Sequence, residues 1–266
     1  ALVSRNRKLF FKDKGMLFSS MITPVILIVL YATFLANVYK DSFVSATKDM
    51  IDLPDKIIDG TVAAQLAAAL LAVSCVTVTF CVNLTMVQDR ASGARKDFDV
   101  SPVSKTKIYI GYFLSTVLNS LMVNGTALAL CLFYILKMGW YMSASDVIFV
   151  ILDMILLVLF GSTLSSIVSY PLKTQGQLSA VGTIVSAGYG FVCGAGLQKA
   201  LSYLPGTYGT SLVKNHMLNG VYKEMADTGL PSEAVTVIRN TLDCNPVFMG
   251  HVVGVPQMYL IMAGSI

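Results

Sequence analysis

Residues 61–87 read TVAAQLAAALLAVSCVTVTFCVNLTMV without a charged side chain, and residues 88–105 continue as QDRASGARKDFDVSPVSK. A membrane-spanning helix needs about 20 consecutive apolar residues, so the first stretch is long enough to cross a bilayer. The second stretch turns abruptly to charged side chains, which need water around them. This pair of stretches predicts a membrane helix that ends in a short segment outside the lipid.

The composition extends this prediction to the whole chain. Of its 266 residues, 55% are hydrophobic and 13% are charged, and the mean hydropathy is +0.69. A water-soluble domain carries about 25% charged residues, because its surface faces water. So few charges exclude a water-soluble globular domain and predict that lipid covers most of the exterior.

Further apolar runs resemble the first one and set the number of predicted helices. The six predicted spans cover residues 16–37, 61–87, 107–136, 146–169, 177–195 and 252–266. The sixth reaches the last residue of the sequence and is too short to cross alone, so we expect the natural chain to continue. The predicted fold class is therefore an all-α membrane protein, one domain over residues 1–266 with a six-transmembrane-helix bundle.

The N-terminal segment mixes basic and apolar residues. Residues 1–15 read ALVSRNRKLFFKDKG, a pattern typical of a basic amphipathic helix that lies in the membrane interface. The simpler alternative is a charged flank of the first span.

The distribution of Lys and Arg predicts the orientation. Residues 1–15 hold five of these side chains, and so do residues 88–107. The two segments share one side of the membrane if every span crosses, and the positive-inside rule places that side in the cytoplasm. We therefore expect a cytoplasmic N-terminus, with the loops 38–60 and 196–251 outside the cell.

The loop 88–106 has its own local pattern. Its charges make it soluble in water, while Phe98 and Val100 give it an apolar edge. Pro102 disfavours a helical conformation at the residue before it, so a short helix is predicted to end there. Such a helix suits docking to a soluble partner, and an ordinary charged connector is the alternative.

Several motifs of catalysis and cofactor binding are missing from the sequence. It contains no GxxxxGK[ST] phosphate loop, no HExxH, no GxSxG and no CxxC pair. We therefore predict a non-catalytic membrane subunit that binds no cofactor, no metal and no nucleic acid.

One ionisable residue lies deep inside a predicted span. Asp153 is about 10 Å from the start of the fourth span, at 1.5 Å per residue, and a charge at such a depth is costly and often functional. It either lines a substrate path, with Asn124 as a second polar group, or is a buried carboxylate held by Asn119 or Asn124.

The remaining polar and aromatic candidates fall in the last predicted loop. His216 and His251 have no ligand cluster around them, so polar surface roles are predicted rather than metal binding. Tyr203, Pro205 and Tyr208 are interpreted as an aromatic belt at the outer interface, with a cap over an exit path as the alternative.

The order of these features resembles a known family. The loop after the second span has an acidic-Arg pair at 89–90, Gly at 93, a basic-x-aromatic triplet at 96–98 and Ser-Pro-Val at 101–103. Together with the basic N-terminal segment and with LSYLPGTYGTSLVKNHMLNG at 201–220, this order resembles the ABC-2 type permeases, the membrane subunits of type V-like ABC exporters.

The resemblance implies roles for several segments. Residues 89–102 would form a coupling helix in a cleft of a separate ATPase subunit, residues 1–15 a connecting helix, and residues 196–220 short outer or re-entrant helices before the last span. The residues implied in coupling are Asp89, Arg90, Gly93, Lys96, Phe98 and Pro102. The abrupt turn at 194–196 departs from the family, which suggests that residues are missing there.

The function expected from this resemblance is the permease subunit of an ATP-driven exporter. ATP and Mg would bind to the ATPase subunit, and a second permease would complete a homodimer or heterodimer. The substrate would be hydrophobic or amphipathic (a drug, peptide, lipid or lipid-linked glycan), moved out across a bacterial cytoplasmic membrane. The alternative is an ion-coupled secondary transporter without an ATPase partner, and a membrane-embedded enzyme is a third option.

Overall fold

The computed structural model describes residues 2–47, 53–100, 102–194, 202–242 and 244–266. The structure is 83% helical, which confirms the all-α fold class. The only strands among the described residues form a two-stranded antiparallel hairpin, β1 (Val247–Phe248) and β2 (His251–Val252).

Eleven α-helices are described. They are α1 (Leu2–Lys12), α2 (Lys14–Leu30), α3 (Ala36–Thr47), α4 (Asp55–Ala91), α5 (Ala94–Asp99), α6 (Lys105–Met138), α7 (Ala144–Ser169), α8 (Gln175–Gly194), α9 (Pro205–Asp227), α10 (Ser232–Thr241) and α11 (Val255–Gly264). A π-helical turn, Tyr31–Leu35, joins α2 to α3.

Four of the described helical segments are long and apolar enough to cross a membrane. They are Lys14–Ser45, Asp55–Ala91, Lys105–Met138 and Ala144–Ser169. This set confirms a multi-pass membrane protein. Helices α8 and α11 occupy the positions of the fifth and sixth predicted spans, and the count of six stays a prediction.

Helix α4 forms the centre of the bundle. Its apolar stretch is 89% buried, whereas that of Lys14–Ser45 is 6% buried. Helices α2, α6, α7, α8 and α9 all pack against α4. The sequence explains this position, because the Ala, Val, Ser and Thr side chains of α4 are small and let neighbouring helices approach closely.

Helix α9 lies in the segment 196–251, which is predicted to be an outer loop with short outer or re-entrant helices over 196–220. It is a 23-residue helix that packs against α4 and α7, and the side of the membrane on which it lies stays a prediction. Its first turn lies beside Phe160, at Gly206, and Phe160 is about 24 Å along α7 from its start, at 1.5 Å per residue. Helix α9 therefore begins inside the bundle and runs antiparallel to α7.

The other end of α9 is fixed by a very close backbone approach. A Cβ atom at Gly220 would overlap the carbonyl oxygen of Tyr141, in the connection before α7. Since that obstacle is backbone rather than a flexible side chain, α9 can pack here only without a side chain.

We therefore expect Gly220→Ala to destabilise the protein by about 1–3 kcal/mol, the usual cost of overpacking. The matched control is Gly188→Ala in α8, where no atom lies within 4 Å of the added Cβ. Thermal unfolding in detergent, followed by loss of the monodisperse peak in size-exclusion chromatography, measures the difference. Equal melting temperatures for the two variants would contradict the close approach of α9 to Tyr141.

Candidate functional site

The candidate coupling site lies where α4 meets α5. Asp89 and Arg90 belong to the last turn of α4, and Gly93 follows with a φ of 81°. This left-handed backbone conformation favours glycine, which has no Cβ to clash. The predicted helix over residues 89–102 is therefore divided, because α4 ends at Ala91 and α5 has six residues. We call residues 89–99 the α4–α5 junction.

Asp89 ties three helices together at this junction. Its carboxylate accepts hydrogen bonds from Arg5 Nη1 at 2.7 Å and Arg5 Nη2 at 3.1 Å, and from the Tyr112 hydroxyl at 2.6 Å. Such a bidentate, charge-assisted pair is geometrically specific as well as strong. The hydrogen bonds to Asp89 raise the pKa of Arg5 above its ordinary value. Asp89 thus links α1 and α6 to the end of α4 from a buried position, 7% exposed.

Arg90 connects the same turn of α4 to α7. Its Nη1 donates to the carbonyl oxygens of Ser169, at 3.0 Å, and Tyr170, at 2.8 Å. These carbonyls lie at the C-terminal end of α7, where backbone acceptors lack partners within the helix. Arg90 therefore caps α7 and holds its end against α4.

Helix α5 is attached to the bundle along one side only. Phe98 packs against Met86, Ile108 and Tyr112, and the guanidinium of Arg5 lies 5.4 Å from the centre of its ring. On the other side, several residues of α5 and of the connection that follows it are exposed. They are Lys96, Asp97, Val100, Pro102 and Val103.

Asp153 is the centre of a second polar cluster. Its side chain is fully buried. One carboxylate oxygen lies 2.6 Å from Nδ1 of His216 on α9, and the other accepts a hydrogen bond from the Tyr259 hydroxyl on α11 at 2.6 Å. The ring of Phe149 stacks on the imidazole with centres 5.0 Å apart. The cluster therefore joins α7, α9 and α11.

These contacts differ from the partners proposed for Asp153 on sequence. Asn124 accepts a hydrogen bond from Ser74 of α4 and donates to the Ser120 carbonyl of its own helix, α6. Asn119 also lies on α6, and its Oδ1 has no hydrogen-bond partner among the described residues. The carboxylate is thus held by a histidine and a tyrosine, while a role of Asp153 and Asn124 in a substrate path stays a prediction.

The structure also corrects two surface predictions. The side chain of His216 is 13% exposed and stacks inside the cluster, so the surface role predicted for it is wrong, whereas His251 is exposed. Tyr208 is buried and donates to the Ser202 carbonyl, so it is not part of an aromatic belt. Tyr203 is exposed, as a belt residue would be.

A family model described as ABC-2 type transporter matches residues 1–201. The chain belongs to the ABC-2 type transporter family. The match covers the helices from α1 to α8, including the α4–α5 junction and Asp153. No curated protein and no solved structure matches the chain significantly.

Several partners in this ABC-2 type protein were not found from its sequence. Arg5, Tyr112 and Ser169 meet the junction from three other helices, and His216 and Tyr259 meet Asp153 from segments interpreted as a loop and a partial span. The position of Asp153 in a long apolar run indicates that a polar partner exists. No local pattern identifies the partner residues, because they are separated from the side chains they bind by 23 to 106 residues along the chain.

We expect Asp89→Asn to loosen α1. The variant loses the charge-assisted pair with Arg5, whose net worth is about 1.5–3 kcal/mol for a buried bond and nearer the lower limit here because Arg5 is partly exposed. Amide exchange in Leu2–Lys12 should rise about tenfold, by hydrogen–deuterium exchange, with the interior of α4 unchanged.

The control for this loosening is Lys96→Gln, which removes an exposed charge from the same junction. Adding Arg5→Gln to Asp89→Asn should cause little further change, since the shared bond is already lost. If α1 exchanged equally in wild type and in Asp89→Asn, the pair would not hold the helix.

We also expect Asp153 and His216 to be energetically coupled. Asp153→Ala leaves His216 and Tyr259, both partly buried, without their shared acceptor, at up to about 1–3 kcal/mol for each, and should cost less in a His216→Ala background. Asp146→Ala is the control, because it removes the contact with Asn219 on the same helix pair. Melting temperatures of the single and double variants give the coupling between His216 and each of the two Asp residues. If the losses from Asp153→Ala and His216→Ala simply add, the coupling is refuted.

Proposed function

We propose that this chain is the membrane-spanning permease subunit of an ATP-driven ABC exporter. The family to which it belongs is one of transporters. The α4–α5 junction would be the contact site for the soluble ATPase subunit. The observation that carries the proposal is the pair Asp89 and Arg90. They bind α1, α6 and α7 to the same turn of α4 that leads into α5.

The exposed side of α5 is the proposed docking surface for the ATPase subunit. Lys96 and Asp97 offer charges, and Val100, which is 86% exposed, and Val103 offer apolar contacts. An exposed apolar side chain between charges is suited to a protein interface, in which an apolar centre is surrounded by a polar rim.

The junction would convert motion of the ATPase subunit into motion of the bundle. A displacement of α5 would be transmitted to α4 through the short turn at Gly93. It would be transmitted to α1 and α6 through Asp89, and to α7 through Arg90. Because packed helices shift between discrete arrangements rather than deforming continuously, such a displacement would move these helices together. Helix α4 contacts most of the other helices, so its displacement would reach the whole bundle.

The remaining parts of the proposal concern the assembly. ATP and Mg would bind to the ATPase subunit, and this chain would contribute no catalytic residue. A second permease subunit, identical or homologous, would complete the path for a hydrophobic or amphipathic substrate. The N-terminus and the α4–α5 junction would face the cytoplasm of a bacterial cell, in agreement with the basic residues of 1–15 and 88–107.

The test separates docking from coupling. In a reconstituted complex with the ATPase subunit, Val100→Asp should reduce co-purification of the two subunits by tenfold or more, since it places a charge in an apolar contact. Arg90→Ala should leave co-purification intact and abolish substrate stimulation of ATP hydrolysis, because α7 is no longer held by α4. Val237→Asp, on the exposed face of α10, is the control.

Two results would contradict the proposal. One is normal substrate-stimulated ATP hydrolysis in Arg90→Ala. The other is transport that continues without ATP and stops when the ion gradient is collapsed, which would identify an ion-coupled secondary transporter.

A further inference from the structure

Helix α1 carries an unusual excess of positive charge. Its sequence, LVSRNRKLFFK, contains two Arg and two Lys and no acidic residue. Arg5 pairs with Asp89, but Arg7, Lys8 and Lys12 are exposed and make no ion pair within the part of the chain that the structure describes. These three cations are therefore available to an external anion.

Two of these cations line a groove together. Ser4, Lys8 and Lys12 follow one another at intervals of four residues, so they form one line along α1, a turn apart. With Arg5 and Leu9 beside them they border an open space of about 550 Å³ on this face of α1. The ammonium groups of Lys8 and Lys12 are carried on flexible four-carbon chains, so both can reach one phosphate group although they start one turn apart.

Arg5 connects this groove to the α4–α5 junction. Its Nη1 donates to Asp89 and to Asn6, and its Nη2 donates to Asp89. A guanidinium has five N–H donors, so Nε–H and one Nη2–H remain for a ligand in the groove. One side chain can thus bind a buried carboxylate and an anion in the groove at the same time.

The surroundings of the groove indicate lipid rather than protein. Leu9 and Phe11 are exposed beside the cations, and Phe18 is 67% exposed one helix further on. Asp13 caps α2 directly after α1, so the groove lies at the end of a membrane-spanning segment. Apolar side chains beside cations at that level are typical of a helix in the headgroup region.

We propose that the Ser4–Lys8–Lys12 groove binds the phosphate headgroup of an anionic phospholipid. The apolar residues next to it contact the acyl chains, and the free donors of Arg5 contact the phosphate. The bound headgroup holds α1 in place beside Asp89. The proposal concerns the permease alone and does not depend on the ATPase partner.

The test is lipid binding by the purified full chain without any ATPase subunit. Native mass spectrometry is used to compare phosphatidylglycerol with phosphatidylcholine of the same acyl chains. The wild type should retain phosphatidylglycerol at least tenfold better. Lys8→Gln combined with Lys12→Gln should lower the retention of phosphatidylglycerol to that of phosphatidylcholine, since Gln keeps the helix propensity of Lys and removes the charge.

The matched control removes two charges elsewhere at the same end of the bundle. Lys105→Gln combined with Lys107→Gln changes two exposed residues of α6 and should keep the preference for phosphatidylglycerol. Size-exclusion profiles identical to wild type establish that both double variants are folded.

Three results would overturn the proposal. They are equal retention of the two lipids by wild type, an unchanged preference in the Lys8/Lys12 variant, and equal loss in both double variants. Full displacement of the lipid by millimolar glycerol phosphate would assign the groove to a free phosphate instead. If the Lys8/Lys12 variant kept its lipid and lost co-purification with the ATPase subunit, the groove would be a protein contact.

Discussion

A carboxylate buried at the end of the most buried helix sets the architecture around it. An isolated ionised group away from water is prohibitively costly, and it is tolerated only when it is paired and hydrogen-bonded. Asp89 meets this requirement with a guanidinium from α1 and a hydroxyl from α6. The requirement explains why the N-terminal helix folds back onto the bundle.

Close packing around α4 determines the rest of the bundle. Its small side chains let five helices approach it, and one of these, α9, is far more polar than a helix exposed to lipid could be. Thr207, Thr210 and Ser211 of α9 are buried, and the Thr210 hydroxyl lies 3.3 Å from the hydroxyl of Tyr189 on α8. The polar helix is stable at membrane depth because its neighbours, rather than lipid, satisfy its polar groups.

Local signals in the sequence predicted the long apolar helices, but not the break between α4 and α5. The apolar runs at 61–87, 107–136 and 146–169 each lie within a helix of the structure, whereas the helix predicted over 89–102 is divided at Gly93. The same approach failed for α9, since hydropathy measures suitability for lipid and this helix faces protein. Partners such as His216 for Asp153 could not be predicted, because nothing in a single sequence records which distant segments meet.

The Asp153 cluster has a consequence for how the chain enters the membrane. Its partners follow 63 and 106 residues later in the chain, so α7 is synthesised before either of them. A lone Asp at the centre of an inserting helix costs about 2.5–3.5 kcal/mol. The other residues of α7 must offset this during biogenesis, which explains why α7 has the highest hydropathy of the four candidate spans. The Asp153 cluster is therefore incomplete when α7 is synthesised, and it forms only after α9 and α11 have been translated.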